Sequence, residues 1–424
     1  MTDEVPANLI DQEVGFDIAE LFFSRTDKRG KILSGNNVFQ RVSGFSWSEL
    51  LGKPHNIIRH PHVPRAVFWL LWDQIRKGNP IGAYVKNKAK DGRYYWVYAI
   101  VTPVEDGYLS IRLKPGGPLF KAVEAEYAAL VKAEAEQQLS PEQSARILLA
   151  RLDELGFENY RSFMASALLS EVTARDKALE RRVDPAFALF DDLKSLSGKM
   201  LGAATAISEA FLGYQFVPLN LIIQASRLGD TGAAMSTISN NYSMLSGEIH
   251  AGLEAFFSSA REVDDAINDG AFLIATSRIQ NETVTVFRQE TAESGNDHSA
   301  ELTQLVDQEA EYFSRALDNL TDIQGRLNAL LQETANLKRL IAGLGAIRIM
   351  GKVEAGHLGT EVLGDMIANL EAFQTTLGGS LAGILSLNQL LQRNVTSIVG
   401  MYFSSSGRQT ADTASEAARL KIPA

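Results

Sequence analysis

Apolar positions along this chain follow two different periods, and the change falls near residue 118. Before it, apolar residues come in short runs bounded by turn residues. Residues 21–26 and 31–34 predict two strands joined by Asp27-Lys28-Arg29-Gly30. Residues 81–86, 94–104 and 108–113 predict three more, separated by Lys90-Asp91-Gly92 and Glu105-Asp106-Gly107. Between the two groups, short helices are predicted over 37–42 and 46–51, with Gly44 and Gly52 as stops. A longer helix with a broad apolar face follows over 64–76 and ends at Lys77-Gly78-Asn79-Pro80. This order of elements predicts an α+β domain over 16–118.

Beyond it, alanine, leucine, serine and glutamate dominate, and after Pro141 only Pro185, Pro218 and Pro423 remain. Proline costs a helix interior about 3 kcal/mol, so its scarcity permits long helices. The pattern predicts a helical region over 119–424: a connecting helix over 119–140, then long helices over 141–265 and 297–405. Ser140-Pro141-Glu142-Gln143 carries a capping box with proline at the first helical position. Phe313, Leu320, Leu327, Thr334 and Ile341 recur every seven residues, with Leu317, Ile323, Leu330 and Leu337 between them. That seam suits a coiled coil or an antiparallel bundle. Residues 265–296 are more polar and less periodic, which predicts a break in the helix there. A weak internal repeat pairs 224–230 with 354–360.

At 424 residues the chain exceeds what one core usually serves. Hydrophobic content of 45% and charged content of 22% are those of a globular protein. A net charge of −10 argues against a nucleic-acid partner, because phosphate neutralisation needs a basic face. The absence of cysteine removes disulfides, thiolate metal sites and a cysteine nucleophile. The N-terminal residues lack a signal-peptide pattern, and no window approaches the ~20 apolar residues of a membrane span. The expectation is a soluble, cytoplasmic protein. No Walker loop, nucleophile elbow, histidine-kinase or cyclase signature is found, and the histidines of the helical region are scattered, so neither an enzyme nor a metal cluster is expected.

The candidate chemistry lies in Pro54-His55-Asn56-Ile57-Ile58-Arg59-His60-Pro61, just before the aromatic stretch Phe68-Trp69-Leu70-Leu71-Trp72. Two prolines fix φ at the ends of the run and shape the loop between them. Arginine, histidine and asparagine beside an aromatic helix suit a planar anionic ligand.

With Asn36-Asn37-Val38-Phe39, Val42-Ser43-Gly44-Phe45, Glu49-Leu50-Leu51-Gly52, Lys86-Asn87, Asp91-Gly92 and Tyr95-Trp96-Val97, this run makes residues 16–115 resemble the N-terminal PAS domain of bacterial aerotaxis receptors. The resemblance implies a five-stranded antiparallel sheet with short helices, non-covalent binding of FAD, and reporting of its redox state. It further implies that Asn36, Arg59, His60 and Asn87 hold the flavin and that Trp72 forms a pocket wall. More remotely, the helical region resembles chemoreceptor signalling helices, which implies a homodimer and chemotaxis-type signalling partners. Two alternatives remain open: a haem-binding gas sensor using His60 or His62 as axial ligand, and a cofactor-free PAS dimerisation scaffold.

Overall fold

The computed structural model describes residues 9–214, 216–227, 233–294, 299–358 and 361–419. Five strands, β1 (Leu21–Asp27), β2 (Ile32–Gly35), β3 (Ile81–Lys88), β4 (Tyr94–Val104) and β5 (Gly107–Leu113), form one sheet in the order β2-β1-β5-β4-β3. Every neighbouring pair is antiparallel, with Ser24 opposite Ser110, Arg112 opposite Ala99 and Val85 opposite Val97. Strand alternation then gives the sheet two faces. Ser24, Thr26, Val85, Asn87, Ala99, Val101, Tyr108, Ser110 and Arg112 share one face, which lines a cavity. Phe23, Tyr84, Trp96, Tyr98 and Thr102 occupy the other.

Between β2 and β3 come helices α1 (Asn37–Ser43) and α2 (Trp47–Leu50), one turn of 3-10 helix (His55–Ile58), and α3 (Arg65–Arg76). Local signals end these elements as the residue types dictate. Ser46 and Glu49 form a capping box at the start of α2, and Gly44 terminates α1 in the left-handed region. The run Pro54–Pro61, expected as a loop, holds that 3-10 turn.

Downstream are α4 (Leu119–Gln137), α5 (Pro141–Glu154), α6 (Tyr160–Ala178), α7 (Pro185–Tyr214), α8 (Val217–Arg227), α9 (Ala233–Ser294), α10 (Ser299–Leu358) and α11 (Glu361–Arg419). The capping box at Ser140 forms as predicted: Gln143 N donates to Ser140 Oγ at 3.2 Å, and Ser140 N donates to Gln143 Oε1 at 2.8 Å. Where long helices were expected over 141–265, the chain turns several times. Gly156, at φ 88°, ends α5, and Asn159 caps α6 three residues later. The break expected within 265–296 is absent from 265–294, because α9 runs unbroken to Ser294. Its loss of periodicity has another cause: residues 270–277 are all buried, so no face needs to be polar. The paired segments of the internal repeat, 224–230 and 354–360, lie partly outside the described residues.

Two compact units form: Met1–Phe187 with Asn268–Asp318, and Ala188–Ile267 with Asn319–Ala424. In the first, the outer face of the sheet is covered by α4, α6 and the adjoining parts of α9 and α10. Phe23 meets Phe287 edge-on at 4.7 Å between centroids, and Trp96 meets Phe120 at 5.3 Å. Tyr98 Oη donates to Met164 O (2.8 Å), Tyr160 Oη to Gly82 O (3.0 Å), and Thr102 Oγ1 to Gln308 Oε1 (2.9 Å). Tyr84 Oη donates to the buried Glu171 carboxylate at 2.6 Å, which also accepts from the amides of Gly116 and Gly117 between β5 and α4.

The second unit is helical. Leu320, Ile323, Leu327, Leu330, Thr334, Leu337 and Ile341 are buried as the heptad predicts. In the stretch of α10 that belongs to the first unit, Tyr312 and Ala316 are buried in place of Phe313 and Leu317, which are half-buried. A straight helix drifts about 20° per heptad away from a strict seven-residue seam, so the buried line slips by one residue. On α11, Leu377, Leu381, Ile384, Asn388, Leu391 and Val395 form a second buried line.

Candidate functional site

The cavity encloses about 300 Å³ between the inner sheet face, the 3-10 turn and α3. The polar loop and the apolar face of α3 supply its other walls. Backbone contacts pin the loop on both sides: His55 N donates to Gly30 O at 2.9 Å, and Arg59 bridges Asn87 of β3. The turn leading to β2 is shaped by Asp27, whose carboxylate accepts from the amides of Arg29 and Lys31. Gly30 sits at φ 76°, and a Cβ there would lie 3.2 Å from the Trp72 ring. Glycine is therefore favoured twice over, by the left-handed backbone and by the tight approach of Trp72.

Of the five residues expected to form the site, the structure gathers three. Arg59, Trp72 and Asn87 line the cavity. The Arg59 guanidinium stacks over Phe68, 4.1 Å from the ring centroid, and Trp72 packs edge-on against Tyr108 at 5.8 Å. Asn87 is 3% exposed, and its amide Nδ2 has no hydrogen-bond partner within the protein.

Asn36 and His60 lie outside the lining. The Asn36 side chain is consumed in joining β1 to α1: its Oδ1 accepts from Phe23 N (3.0 Å) and Phe39 N (3.2 Å), and Nδ2 donates to Leu21 O (2.7 Å). His60 is buried against His62 and Tyr94, and its Nδ1 accepts from His62 N at 3.1 Å. Burial and the cations Lys86 and Lys88, with His62, lower its pKa to about 4. Both residues shape the frame of the cavity.

Four further residues were not singled out by sequence as contacts: Ser24, His55, Ser110 and Arg112. Arg112, 5% exposed, donates to Ser24 Oγ (3.0 Å) and His55 Nε2 (2.6 Å). Arginine only donates, so His55 Nε2 is the acceptor and the neutral ring carries its proton on Nδ1. Burial, and then the neighbouring Arg112 charge, hold His55 well below the usual histidine range. Burial also lowers Arg112, to about 10. Ser110 Oγ is buried and has no protein partner. One sequence signal pointed here: Ser110 and Arg112 stand two apart in an otherwise apolar strand, and so on one face.

The lining holds Arg29, Arg59 and Arg112 and no aspartate or glutamate, in a chain of net charge −10. Arg29, Pro54 and Asn56 are exposed while Asn87, Ser110 and Arg112 are buried, so the cavity has an open end and a closed end. Such a site can hold a flat, electron-rich group between Trp72, Phe68 and the sheet, with donors directed at acceptors on its edge. Haem fits it less well. His55 is the lining histidine and its Nε2 is already engaged by Arg112, while His60 and His62 are not in the lining. Among the described residues no group of three histidine, aspartate or glutamate side chains is placed to hold a metal ion.

An antiparallel five-stranded sheet cupping a cavity against short helices is the architecture of a sensory PAS domain. Residues 32–110 match the family described as the PAS fold, and this part of the chain is a PAS domain. It is similar to the aerotaxis receptor of Escherichia coli (strain K12), 41% identical over 112 residues, which are 25% of this chain and 22% of the receptor. The biofilm dispersion protein BdlA of Pseudomonas aeruginosa is 29% identical over 115 residues, 26% of each chain. The chain thus spans about a quarter or less of the length of these relatives. Among solved structures, the PAS domain of a protein from Colwellia psychrerythraea is 21% identical, covers 22% of this chain and 85% of its own, and superposes with a TM-score of 0.20. Among the described residues, no helix is long and apolar enough to cross a membrane.

Proposed function

We propose that the PAS domain binds FAD in this cavity and passes the redox state of its surroundings to the helices that follow. The observation that carries the reading is the pair of buried donors, Asn87 Nδ2 and Ser110 Oγ, left without protein partners in an aromatic-walled cavity. A buried donor left unpaired costs about 1–3 kcal/mol, a penalty that a ligand with carbonyl or ring-nitrogen acceptors would remove. A cofactor-free scaffold would bear that cost with no return. When bound, the flavin supplies a ring whose charge and protonation follow its redox state. Asn87 and Ser110 would hold the ring edge, Trp72 and Phe68 would flank it, and Arg59 and Arg29 would meet phosphate near the open end.

The outer face of the sheet supports a route for the output. Phe23, Tyr84, Tyr98 and Thr102 alternate along the strands with cavity residues and contact α9, α6 and α10. A small shift of a strand therefore changes its packing against helices on the far side. Glu171 ties β3 to the segment leading into α4, which gives that helix a direct mechanical link to the sheet. Dimerisation, chemotaxis-type signalling partners and a cytoplasmic site of action belong to the same proposal. Light scattering, co-purification with chemotaxis adaptor proteins and cell fractionation test them in turn.

The test of the cofactor is the absorption spectrum of the purified full-length protein after incubation with excess FAD and removal of free ligand. Retained flavin absorbance, with FAD released on denaturation, is expected. Asn87→Leu should weaken retention roughly five- to tenfold, as the loss of one buried hydrogen bond of about 1–1.5 kcal/mol implies. A Soret band would favour haem, and a colourless protein would remove the flavin reading.

A further inference from the structure

We propose that Arg112 makes the cavity selective for the charge of the ring it holds, so that a ring with a negative edge binds more tightly than a neutral one; this deepens the flavin reading above and rests on it. Arg112 projects from the middle of the inner sheet face, in register with Ala99 of β4 and Phe22 of β1, and is 5% exposed. Both of its hydrogen-bond acceptors, Ser24 Oγ at 3.0 Å and His55 Nε2 at 2.6 Å, are neutral. No carboxylate lines the cavity.

Elsewhere in the same unit a buried arginine is treated differently. Arg175, 1% exposed, pairs with the Glu282 carboxylate at 3.1 Å and donates to the Ile18 and Ala19 carbonyls. A buried cation without an anion carries a desolvation penalty of several kcal/mol. The fold has the means to neutralise such a charge and does not use them at Arg112. The partnerless Ser110 Oγ lies two residues away on the same face, so a cation and an unused donor share one wall. A ligand edge that gains negative charge meets both, and Arg112 exchanges neutral partners for an ionic one. Oxidised flavin presents neutral carbonyls at its pyrimidine edge, while the reduced, deprotonated ring carries a negative charge there. Charge placed near that edge is one of the means by which a protein tunes a flavin.

The measurement is an anaerobic redox titration of the full-length, FAD-loaded protein against a reference dye, with dithionite as reductant. The wild-type midpoint is expected above that of free FAD. Arg112→Gln should lower it by at least about 30 mV, a tenfold loss in the ratio of reduced to oxidised affinity for a two-electron couple. Arg112→Lys, which keeps the charge, should restore at least half of that difference. An unchanged midpoint in Arg112→Gln, or an equal fall in both variants, overturns the assignment while the flavin reading stands. If neither variant folds or retains flavin, a wild-type midpoint at or below that of free FAD overturns it instead. A wild-type protein that holds no FAD removes both the assignment and the reading on which it rests.

Discussion

Replacing Phe287 by alanine should unfasten α9 from the PAS sheet. Phe287 and Phe23 are both fully buried, with ring centroids 4.7 Å apart and planes at 85°. Truncating a buried phenylalanine costs about 3–5 kcal/mol through lost burial and the cavity left behind. An edge-on aromatic pair adds about 0.5–1.5 kcal/mol of mutual coupling. Phe23→Ala, Phe287→Ala and the double variant therefore form a cycle in which the double variant is less destabilised than the sum of the singles by that coupling. For a unit of about 240 residues, each single change should lower the melting temperature by roughly 6–20 °C. All four tryptophans, Trp47, Trp69, Trp72 and Trp96, lie in this unit, so their fluorescence in urea reports its unfolding without signal from the helical unit. Single-variant costs below about 1 kcal/mol, or costs that add within about 0.3 kcal/mol, would refute the docking of α9 on the sheet.

Two further outcomes are expected. The His60 pKa is depressed from 6.5 to about 4, and His55 shifts in the same direction, so the folded protein binds fewer protons than the unfolded chain in that range. Stability should then be retained above pH 6.5 and lost as the pH falls toward 4, and His60→Gln should flatten that fall in melting temperature; an unchanged acid profile would count against it. In the helical unit, Asn388 is 1% exposed, donates to Leu327 O at 3.1 Å, and leaves its Oδ1 buried without a partner. Asn388→Leu should raise the unfolding midpoint of the bundle by circular dichroism, by about 1 kcal/mol, and a loss of stability would show that the amide sets the pairing of α10 and α11.

The strands, the short helices and the caps of the PAS domain were legible in the sequence because each rests on local physics: alternation of period two, glycine at positive φ, and a serine three residues before a glutamate or glutamine. The seam over 320–341 was legible for the same reason, since burial every three and four residues leaves a direct imprint. Arg59, Trp72 and Asn87 were reached through motif likeness, but their convergence on one cavity depends on the bridge from Arg59 of the loop to Asn87 of β3 and on the packing of α3 over the sheet, which join residues well separated in sequence. Asn36 and His60 carried the same motif signal and yet point elsewhere, because a side chain's direction is fixed by the neighbours that satisfy it. Arg112 had only its spacing from Ser110 to mark it, because an arginine in a strand is ordinarily a solvated one, and only the loop and helix packed over the sheet take its water away. The polar stretch 265–294 misled most plainly. Where α9 is buried on every side, over 270–277, it loses the amphipathic stripe that sequence reasoning depends on, and only tertiary packing could show that this segment is helix and that it covers the back of the PAS sheet.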